Sequence, residues 1–356
     1  MKLSTVNYGK AYLARLKDFN VQLYKDRPVP DQQLLFKLDC AGDKQVQPSI
    51  ISLDEGRVVG QIILLPIDFY WNNEIQKAVF ACDYVVQPEY LNTGLGVRLL
   101  TKTIKENIHF GMGLSPISKK LHLALKEKMI GSVDKYLYIK SSFAYFHIAC
   151  MTFLKFSLVK VPAKQDWPAE ITDIGFGALR KDSFNGYDRA FNPGLIEFAR
   201  DKQFLNWRFN KWFKGKYAFY EIADSKGEVA GYFVARAENW RGINVLVIAD
   251  YRYNIKRDDV MDFICLAAKK LMKHNGLMGI LMGSSLSVID QKLLENSFKK
   301  VGVPSEIVTN LKLGDPDAEE RNSNRNLIFA NIADSDFEFN LGVNLWQLPV
   351  SKNSVT

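Results

Sequence analysis

Several features are scarce in this chain of 356 residues, and each absence excludes a class of protein. No apolar run approaches the roughly 18–20 residues that a membrane-spanning helix needs. The N-terminal segment lacks the long apolar core of a secretory signal. The four cysteines have neither the spacing of a disulfide framework nor that of a metal site, and they are Cys40, Cys82, Cys150 and Cys265. We therefore expect a cytoplasmic protein with buried thiols, no membrane partner and no bound metal.

Histidine is also scarce, and the basic residues form no cluster. The four histidines show no spaced pair, so we expect each of them to be structural. The net charge of +8 raises the question of nucleic acid, but the basic residues are scattered and no nucleic-acid-binding motif appears. A mildly basic surface also suits an anionic small ligand. We expect no nucleic-acid partner.

What the chain does contain is ample apolar sequence and an internal repeat. A hydrophobic content of 47% suits packed cores, and the length fits two domains. Gln33 precedes Gly60 by 27 positions, and Gln203 precedes Gly231 by 28, with a helical segment, a strand, an Asp-Gly type turn and a second strand in both stretches. Chance similarity between hairpins is common, but the helical element before each favours duplication. We expect domains at residues 1–165 and 166–350 and a frayed tail at 351–356.

The most informative stretch runs from residue 83 to residue 100. A β-rich run ends at Pro88, a polar loop carries Gly94 and Gly96, and an apolar-periodic helix begins at Leu95. A helix N-terminus exposes unpaired N–H groups and the positive end of a dipole, so it can bind a phosphate. Glycines allow the backbone to approach the anion closely. A Gly-x-Gly turn also opens many helices for packing reasons, and that alternative stays open.

The segment resembles the acyl-CoA-binding motif of the GCN5-related N-acetyltransferase (GNAT) superfamily, Val-x-Pro-x-x-[Gln/Arg]-x-x-Gly-x-[Gly/Ala]. Val86, Pro88, Gly94 and Gly96 match the motif in register, while Leu91 stands where the family usually has Gln or Arg. The resemblance implies an α/β fold of two tandem GNAT-like domains, each a mixed, mostly antiparallel sheet flanked by helices. It also implies acetyl-CoA or another acyl-CoA as co-substrate. The pantetheine arm and pyrophosphate would contact residues of the strand and of the loop, namely Val85, Val86, Gln87, Asn92, Thr93, Gly94, Leu95, Gly96 and Val97.

The second half differs at the place that corresponds to the glycine loop. Residues 253–260 contain no glycine, and Asp258 and Asp259 fall in the first turn of a predicted helix. Carboxylates stabilise a helix start and would repel a pyrophosphate. We therefore expect one coenzyme per chain, in the first half.

The usual catalytic side chains are absent at the positions that the resemblance implies. Phe80 stands where the family often has a Glu base, and Lys126, in a helix predicted over 116–129, stands where a Tyr acid is expected. Strand alternation places Tyr84 on the same face as Phe80. Tyr84 is therefore the candidate catalytic residue, with a role in the core or at the rim of the site as the alternative.

The acceptor is indicated only by short matches. The segment from Asn206 to Phe209 resembles an Asn-Trp-Arg-Tyr-type element of tandem acetyltransferases in bacterial cell-surface polysaccharide pathways, and Asp334-Ser335-Asp336 resembles the acidic ending of that group. A helix end anchored by a buried Trp explains the first match equally well. We expect an N-acyltransferase acting on an amine of a small molecule, such as an amino sugar or nucleotide-sugar. The alternative is a catalytically inactive GNAT-fold binding or assembly module, and a homodimer is left open.

Overall fold

A computed structural model describes residues 2–24, 31–38, 49–140, 142–154, 166–171, 178–181, 185–213, 215–314 and 318–334 of the chain. In the first half the elements are β1 (Leu3–Asn7), a 3₁₀ turn (Lys10–Tyr12), α1 (Leu13–Leu23), α2 (Asp31–Leu38), β2 (Ile50–Asp54), β3 (Arg57–Trp71), β4 (Glu74–Val86), a 3₁₀ turn (Pro88–Thr93), α3 (Leu95–Glu106), β5 (His109–Met112), α4 (Pro116–Ala124), β6 (Lys128–Ile139) and α5 (Ser142–Leu154).

The second half repeats this order after three short strands. Its elements are β7 (Glu170–Ile171), β8 (Ala178–Lys181), β9 (Ile196–Phe198), α6 (Lys202–Leu205), a π-helical turn (Asn206–Lys211), β10 (Ala218–Ala223), β11 (Val229–Trp240), β12 (Ile243–Tyr253), α7 (Asp258–His274), β13 (Gly279–Ser284), α8 (Ser287–Glu295), β14 (Lys299–Thr309), α9 (Ala318–Ser323), β15 (Ile328–Phe329) and a 3₁₀ turn (Ile332–Asp334).

The repeated glycines occupy equivalent places in the two halves. Gly60 on β3 pairs with Val86 at the end of β4, and Gly231 on β11 pairs with Tyr253 at the end of β12. Each glycine therefore lies opposite the residue at which a strand turns towards α3 or α7. The chain thus has the α/β architecture expected from its sequence, as two similar units in tandem. The boundaries at residues 165 and 350 stay a prediction.

The two units share one continuous sheet. The order of its strands is β1-β2-β3-β4-β5-β14-β6-β13-β12-β11-β10-β8-β7. Strand β14 of the second half lies between β5 and β6 and is antiparallel to both, while β6 of the first half pairs with β13. Each half is therefore completed by the last long strand of the other.

Aromatic packing joins the halves a second time. Trp207, in the π-helical turn, stacks on Phe36 of α2 with ring centroids 4.5 Å apart and planes 7° from parallel. The Trp207 indole N–H also donates to the Phe36 carbonyl oxygen at 3.3 Å. This buried contact supports the explanation that the Asn206–Phe209 element anchors a helix end.

Three local predictions are wrong. Strand β6 was not predicted, and residues 142–160, whose aromatic composition predicts the last strand of the first domain, instead form helix α5 in their described part. Helix α4 ends at Ala124 and not at residue 129. Lys126 adopts the left-handed backbone conformation, with a φ of 65°. It ends the helical segment as a C-terminal cap does.

The described cysteines lie in apolar surroundings, as expected. Cys82, Cys150 and Cys265 are buried, and burial raises the pKa of the Cys265 thiol to about 12. Cys40 and the predicted tail lie outside the described residues. Among the helices of the described ranges, none is both long and apolar enough to cross a membrane.

Because the two halves share one sheet, we expect a substitution that destabilises β14 to destabilise the first half as well. Ile307→Ala removes a fully buried side chain and should lower the free energy of unfolding by about 2–5 kcal/mol. Hydrogen exchange should accelerate in β5 and β6 as well as in β14. Val303→Ala, on the same strand but 77% exposed, is the matched control and should change stability by less than about 0.5 kcal/mol. Faster exchange confined to residues 166–334 would contradict the shared-sheet explanation.

Candidate functional site

The site begins where β4 separates from its parallel neighbour β5. The two strands pair over only three positions, from Val79–His109 to Ala81–Gly111. Just beyond them, Asp83 has a φ of 45° and the register between β3 and β4 shifts, which marks a β-bulge. The Asp83 carboxylate lies 2.6 Å from the ammonium of Lys37, a side chain that is 2% exposed. This ion pair holds the bulge in place, since a buried ammonium needs its partner.

Beyond the bulge, one edge of β4 faces the opening. The Gln87 N–H donates to the Val59 carbonyl oxygen at 2.9 Å, so Gln87 and Val59 occupy a hydrogen-bonded position of the ladder. Bonded pairs alternate in an antiparallel ladder, and the backbone groups of the intervening Val86 therefore point away from β3, towards the opening. An extended ligand can pair with them as an added strand would.

The N-terminus of α3 lies next to this edge. Gly94 has a φ of +75°, which favours glycine, and a Cβ placed there would meet nothing within 4 Å. The backbone N–H groups of Leu95, Gly96 and Val97 lie in the first turn of α3. They have no intrahelical partner, because the helix has no carbonyl group one turn before them. Backbone donors, the helix dipole and open space therefore coincide, which is the arrangement that binds a phosphate.

A cleft of about 380 Å³ connects the edge of β4, the α3 N-terminus and α4. Its lining is mostly apolar and consists of Tyr84, Val85, Val86, Leu91, Gly94, Gly96, Val97, Ser115, Ile117, Ser118 and Leu121. Of the residues expected to bind coenzyme, the structure therefore brings Val85, Val86, Gly94, Gly96 and Val97 together around one cleft. Their role as ligand contacts stays a prediction.

The other expected contacts do not line the cleft. Leu95 is fully buried, and the backbone N–H of Gln87 is used by β3. Asn92 and Thr93 are exposed on the loop, where the Thr93 hydroxyl donates to the Tyr90 carbonyl oxygen at 2.7 Å. These two residues can reach an anion only from the rim.

Tyr84 lies in the cleft but not on the predicted face of β4. It packs with Val79 and Ala81 beneath α3, whereas Phe80 and Cys82 belong to the core on the opposite face. The prediction that Tyr84 shares the Phe80 face is wrong, because the bulge at Asp83 adds a residue and reverses the alternation. Burial raises the pKa of Tyr84, so its hydroxyl remains a proton donor at neutral pH.

Behind Tyr84 lies a buried trio that sequence spacing did not reveal. The imidazoles of His109 on β5 and His122 on α4 stack 5.4 Å apart, with planes 6° from parallel. The Nδ1 atom of each ring hydrogen-bonds to one carboxylate oxygen of Glu127, at 2.7 Å in the case of His109. The His122 ring also contacts the Tyr84 ring edge to face, with centroids 6.5 Å apart. The trio brings together residues that are up to 18 positions apart in sequence.

Electrostatics favours an ionised Glu127 carboxylate beside a neutral His109 ring. Burial lowers the pKa of His109. Burial alone would raise the pKa of Glu127, but the hydrogen bonds from His109 and His122 outweigh it and lower that pKa. Two histidines and a carboxylate are also a donor set that zinc accepts, although here both Nδ1 atoms are engaged by the carboxylate itself.

The corresponding region of the second half is organised differently. Asp258 and Asp259 fall in the first turn of α7, as expected, and Arg257 donates two hydrogen bonds to Asp259, both at 3.1 Å. The segment that ends in the 3₁₀ turn at 332–334 packs against β12 and β13. A Cβ added at Gly283 on β13 would lie 2.6 Å from the Ile332 side chain.

Buried charges fix that segment. Arg200 donates to Asp250 at 2.7 Å and also bonds to Asp334, while Arg252 donates to Asp334 at 3.1 Å. All four side chains are nearly inaccessible to solvent. Asp334, singled out in the sequence, therefore has a structural partner set, while Ser335 and Asp336 lie outside the described residues.

Comparison with known proteins agrees with this geometry. Residues 13–115 match the family model described as Acetyltransferase (GNAT) family. This stretch of the chain is therefore similar to a GNAT domain. The match covers β4, the glycine loop and α3, and it includes eight of the eleven residues that line the cleft.

Solved structures extend the likeness across most of the chain. A GCN5-related N-acetyltransferase from Anabaena variabilis ATCC 29413 is 13% identical with a TM-score of 0.56, over 86% of this chain and 72% of that one. A probable N-acyltransferase from Enterococcus faecalis V583 is 12% identical with a TM-score of 0.58, over the same shares. Saccharomyces cerevisiae N-myristoyltransferase with bound myristoyl-CoA is 10% identical with a TM-score of 0.52, over 86% of this chain and 82% of that one. These likenesses show the GNAT fold. No curated protein sequence matches the chain.

The close approach of Gly96 to Tyr84 generates a prediction about stability. A Cβ at position 96 would lie 2.7 Å from the Tyr84 hydroxyl oxygen, while the next ring atom is 3.6 Å away. In a Tyr84→Phe background, Gly96→Ala should therefore raise the free energy of unfolding by up to about 1 kcal/mol, because Ala has a higher helix propensity than Gly. In the native background the clash should offset that gain, giving a coupling energy of about 0.5–3 kcal/mol. Chemical denaturation of the four proteins measures the coupling, and additive effects would contradict the described geometry.

Proposed function

We propose that the first half of the chain binds acetyl-CoA or another acyl-CoA and transfers the acyl group to an amine of a small molecule. The observation that carries this proposal is the convergence of two features on one cleft. The open edge of β4 at Val86 suits an extended amide-bearing arm, and the α3 N-terminus at Gly94–Val97 suits a pyrophosphate. The apolar lining between them suits the uncharged part of the coenzyme.

Tyr84 is the proposed proton donor of this cleft. Acyl transfer from a thioester needs a proton for the leaving thiolate and an acceptor for the proton of the attacking ammonium. Because burial raises the pKa of Tyr84, its hydroxyl can supply a hydrogen bond but does not ionise to act as a base. We propose an amino sugar or nucleotide-sugar as the acceptor on the weaker ground of the short sequence matches.

One coenzyme per chain is part of the proposal. The first half has glycines and no acidic residue between Leu91 and Arg98. In the second half, the carboxylates of Asp258 and Asp259 would repel a pyrophosphate, and this repulsion costs about 1 kcal/mol per close charge pair even in high dielectric. The packing of residues 332–334 against β12 and β13 also leaves less room there.

Calorimetry with acetyl-CoA and with longer acyl-CoAs tests the coenzyme. We expect one molecule bound per chain, and we expect Gly94→Glu to abolish binding by placing a carboxylate at the phosphate site. Gly227→Glu is the matched control, because Gly227 also has a positive φ of +81° and open space around its Cβ position, but lies in the β10–β11 turn. Two coenzymes per chain, or unchanged binding by the Gly94→Glu variant, would overturn the proposal.

The alternative is a binding or assembly module that keeps the fold without the reaction. Phe80 favours it, since this position carries no titratable group and is packed against Phe198 with centroids 5.9 Å apart. A thiol-release assay over a panel of amines, including amino sugars, decides between the two. Acetyl-CoA binding together with turnover of an amine supports the transferase, and binding without turnover of any amine supports the module.

A further inference from the structure

We propose that His122 is the proton acceptor of the acyl-transfer site and that Glu127 and His109 hold it in its reactive form. The inference rests on the proposed function and adds a residue and a role to it. Tyr84 is the titratable side chain among the eleven residues that line the cleft, and because burial raises its pKa it stays protonated and does not itself serve as the base. A base must therefore come from a side chain just behind that wall.

His122 occupies that position. Its helix presents Ser118 and Leu121 to the cleft, and His122 follows Ser118 by four positions, on the same face of α4. The ring contacts Tyr84, which itself lines the cleft. His109, in contrast, lies one ring further from the cleft, and its Nε2 atom is buried without a hydrogen-bond partner among the described residues. His122 is thus the member of the trio that can reach a ligand.

The carboxylate of Glu127 determines which nitrogen is reactive. An ionised carboxylate only accepts hydrogen bonds, so both imidazoles donate their Nδ1–H to it. In this tautomer the Nε2 atom of His122 carries a lone pair. Glu127 also stabilises the imidazolium that forms once this nitrogen takes a proton, as the carboxylate does in a Ser-His-Asp triad.

The Nε2 atom of His122 accepts one proton from the acceptor's ammonium, and the resulting amine attacks the thioester carbonyl. The new C–N bond forms as the C–S bond breaks, and the nitrogen of the new amide loses its second proton to solvent water. The leaving thiolate takes up one proton. That proton returns from the His122 imidazolium, directly or through the hydroxyl of Tyr84, which leaves His122 neutral for the next cycle.

The elements around the trio carry other titratable groups. Lys119 on α4 and Glu306 on β14 form an ion pair at 2.7 Å. Asp83 on β4 pairs with Lys37. Further titratable residues on or beside these elements include Tyr84, Arg98, Lys102, Lys120, Lys126 and Lys128. Because a general base must be unprotonated to accept a proton, the rate should fall at low pH and reach a plateau at higher pH.

The test compares His122→Gln with His274→Gln. Glutamine keeps a group that can bond to Glu127 but cannot accept a proton, and His274 is a partly exposed histidine far along the chain, paired with Asp166. We expect His122→Gln to lower kcat by roughly 10²–10⁴-fold with an unchanged KM for acetyl-CoA, and to lose the acidic limb of the pH profile. The His274→Gln control should retain the native kcat and the acidic limb of the pH profile. A His122→Gln enzyme with unaltered kcat and pH profile would overturn the inference.

A second measurement needs no acceptor and no substitution. In protein labelled with ¹⁵N-histidine, NMR should show His109 and His122 as Nδ1–H tautomers, with only His122 Nε2 shifting when acetyl-CoA is added. An Nε2–H tautomer at His122, as a metal on Nδ1 would impose, or an unperturbed ring in the coenzyme-bound protein, would refute the inference. If calorimetry finds no acetyl-CoA binding, the proposed function itself fails, so the two failures are distinguishable.

Discussion

The site depends on the requirement that backbone N–H and C=O groups find partners. Strand β4 satisfies this requirement through β3 on one side, but on the other side it pairs with β5 over only three positions. The bulge at Asp83, held by Lys37, separates the strands and leaves the backbone of Val86 facing a cleft. A ligand with its own backbone-like amides is the natural partner for that edge, and the N-terminus of α3 lies where such a ligand's phosphates would fall.

The second half supports this site through the exchanged strand. Residues at the end of β14 bind both backbone groups of His109: the Asn310 side chain accepts from its N–H at 2.8 Å, and the Thr309 hydroxyl donates to its carbonyl oxygen at 2.6 Å. His109 in turn bonds to Glu127. A strand contributed by the half without the cleft therefore positions the buried trio behind it. The tandem arrangement is thus part of the site's construction, and not only a means of joining two units.

Local sequence signals predicted the parts of the structure that depend on interactions between residues close together in the chain. The strand, glycine loop and helix around Gly94 follow from turn chemistry and apolar periodicity, and the paired hairpins follow from the repeat. The exchange of β6 and β14 could not be read from the sequence, because strand order in a sheet depends on contacts between residues more than 160 positions apart. The aromatic α5 segment has β-type composition, which tertiary context overrode.

The candidate site likewise has features that local sequence predicted and features that depend on the folded structure. One inserted residue at the bulge moved Tyr84 to the other face of β4, and alternation in the sequence cannot reveal a bulge. The trio of His109, His122 and Glu127 carries no motif-like spacing, because a strand, a helix and a turn each contribute one member. Its only sequence signal is that two of four histidines precede a single glutamate within one strand-helix unit, and this signal is too weak to use alone.

Hydrogen exchange with and without acetyl-CoA reports on the proposed contacts themselves, because backbone amides make them. We expect saturating acetyl-CoA to slow exchange of the amides from Tyr84 to Val86 and from Gly94 to Val97. Exchange at 250–260, the corresponding place in the second half, should be unchanged. Protection at 250–260, or binding that leaves the amides of 84–97 unprotected, would contradict the proposed coenzyme site.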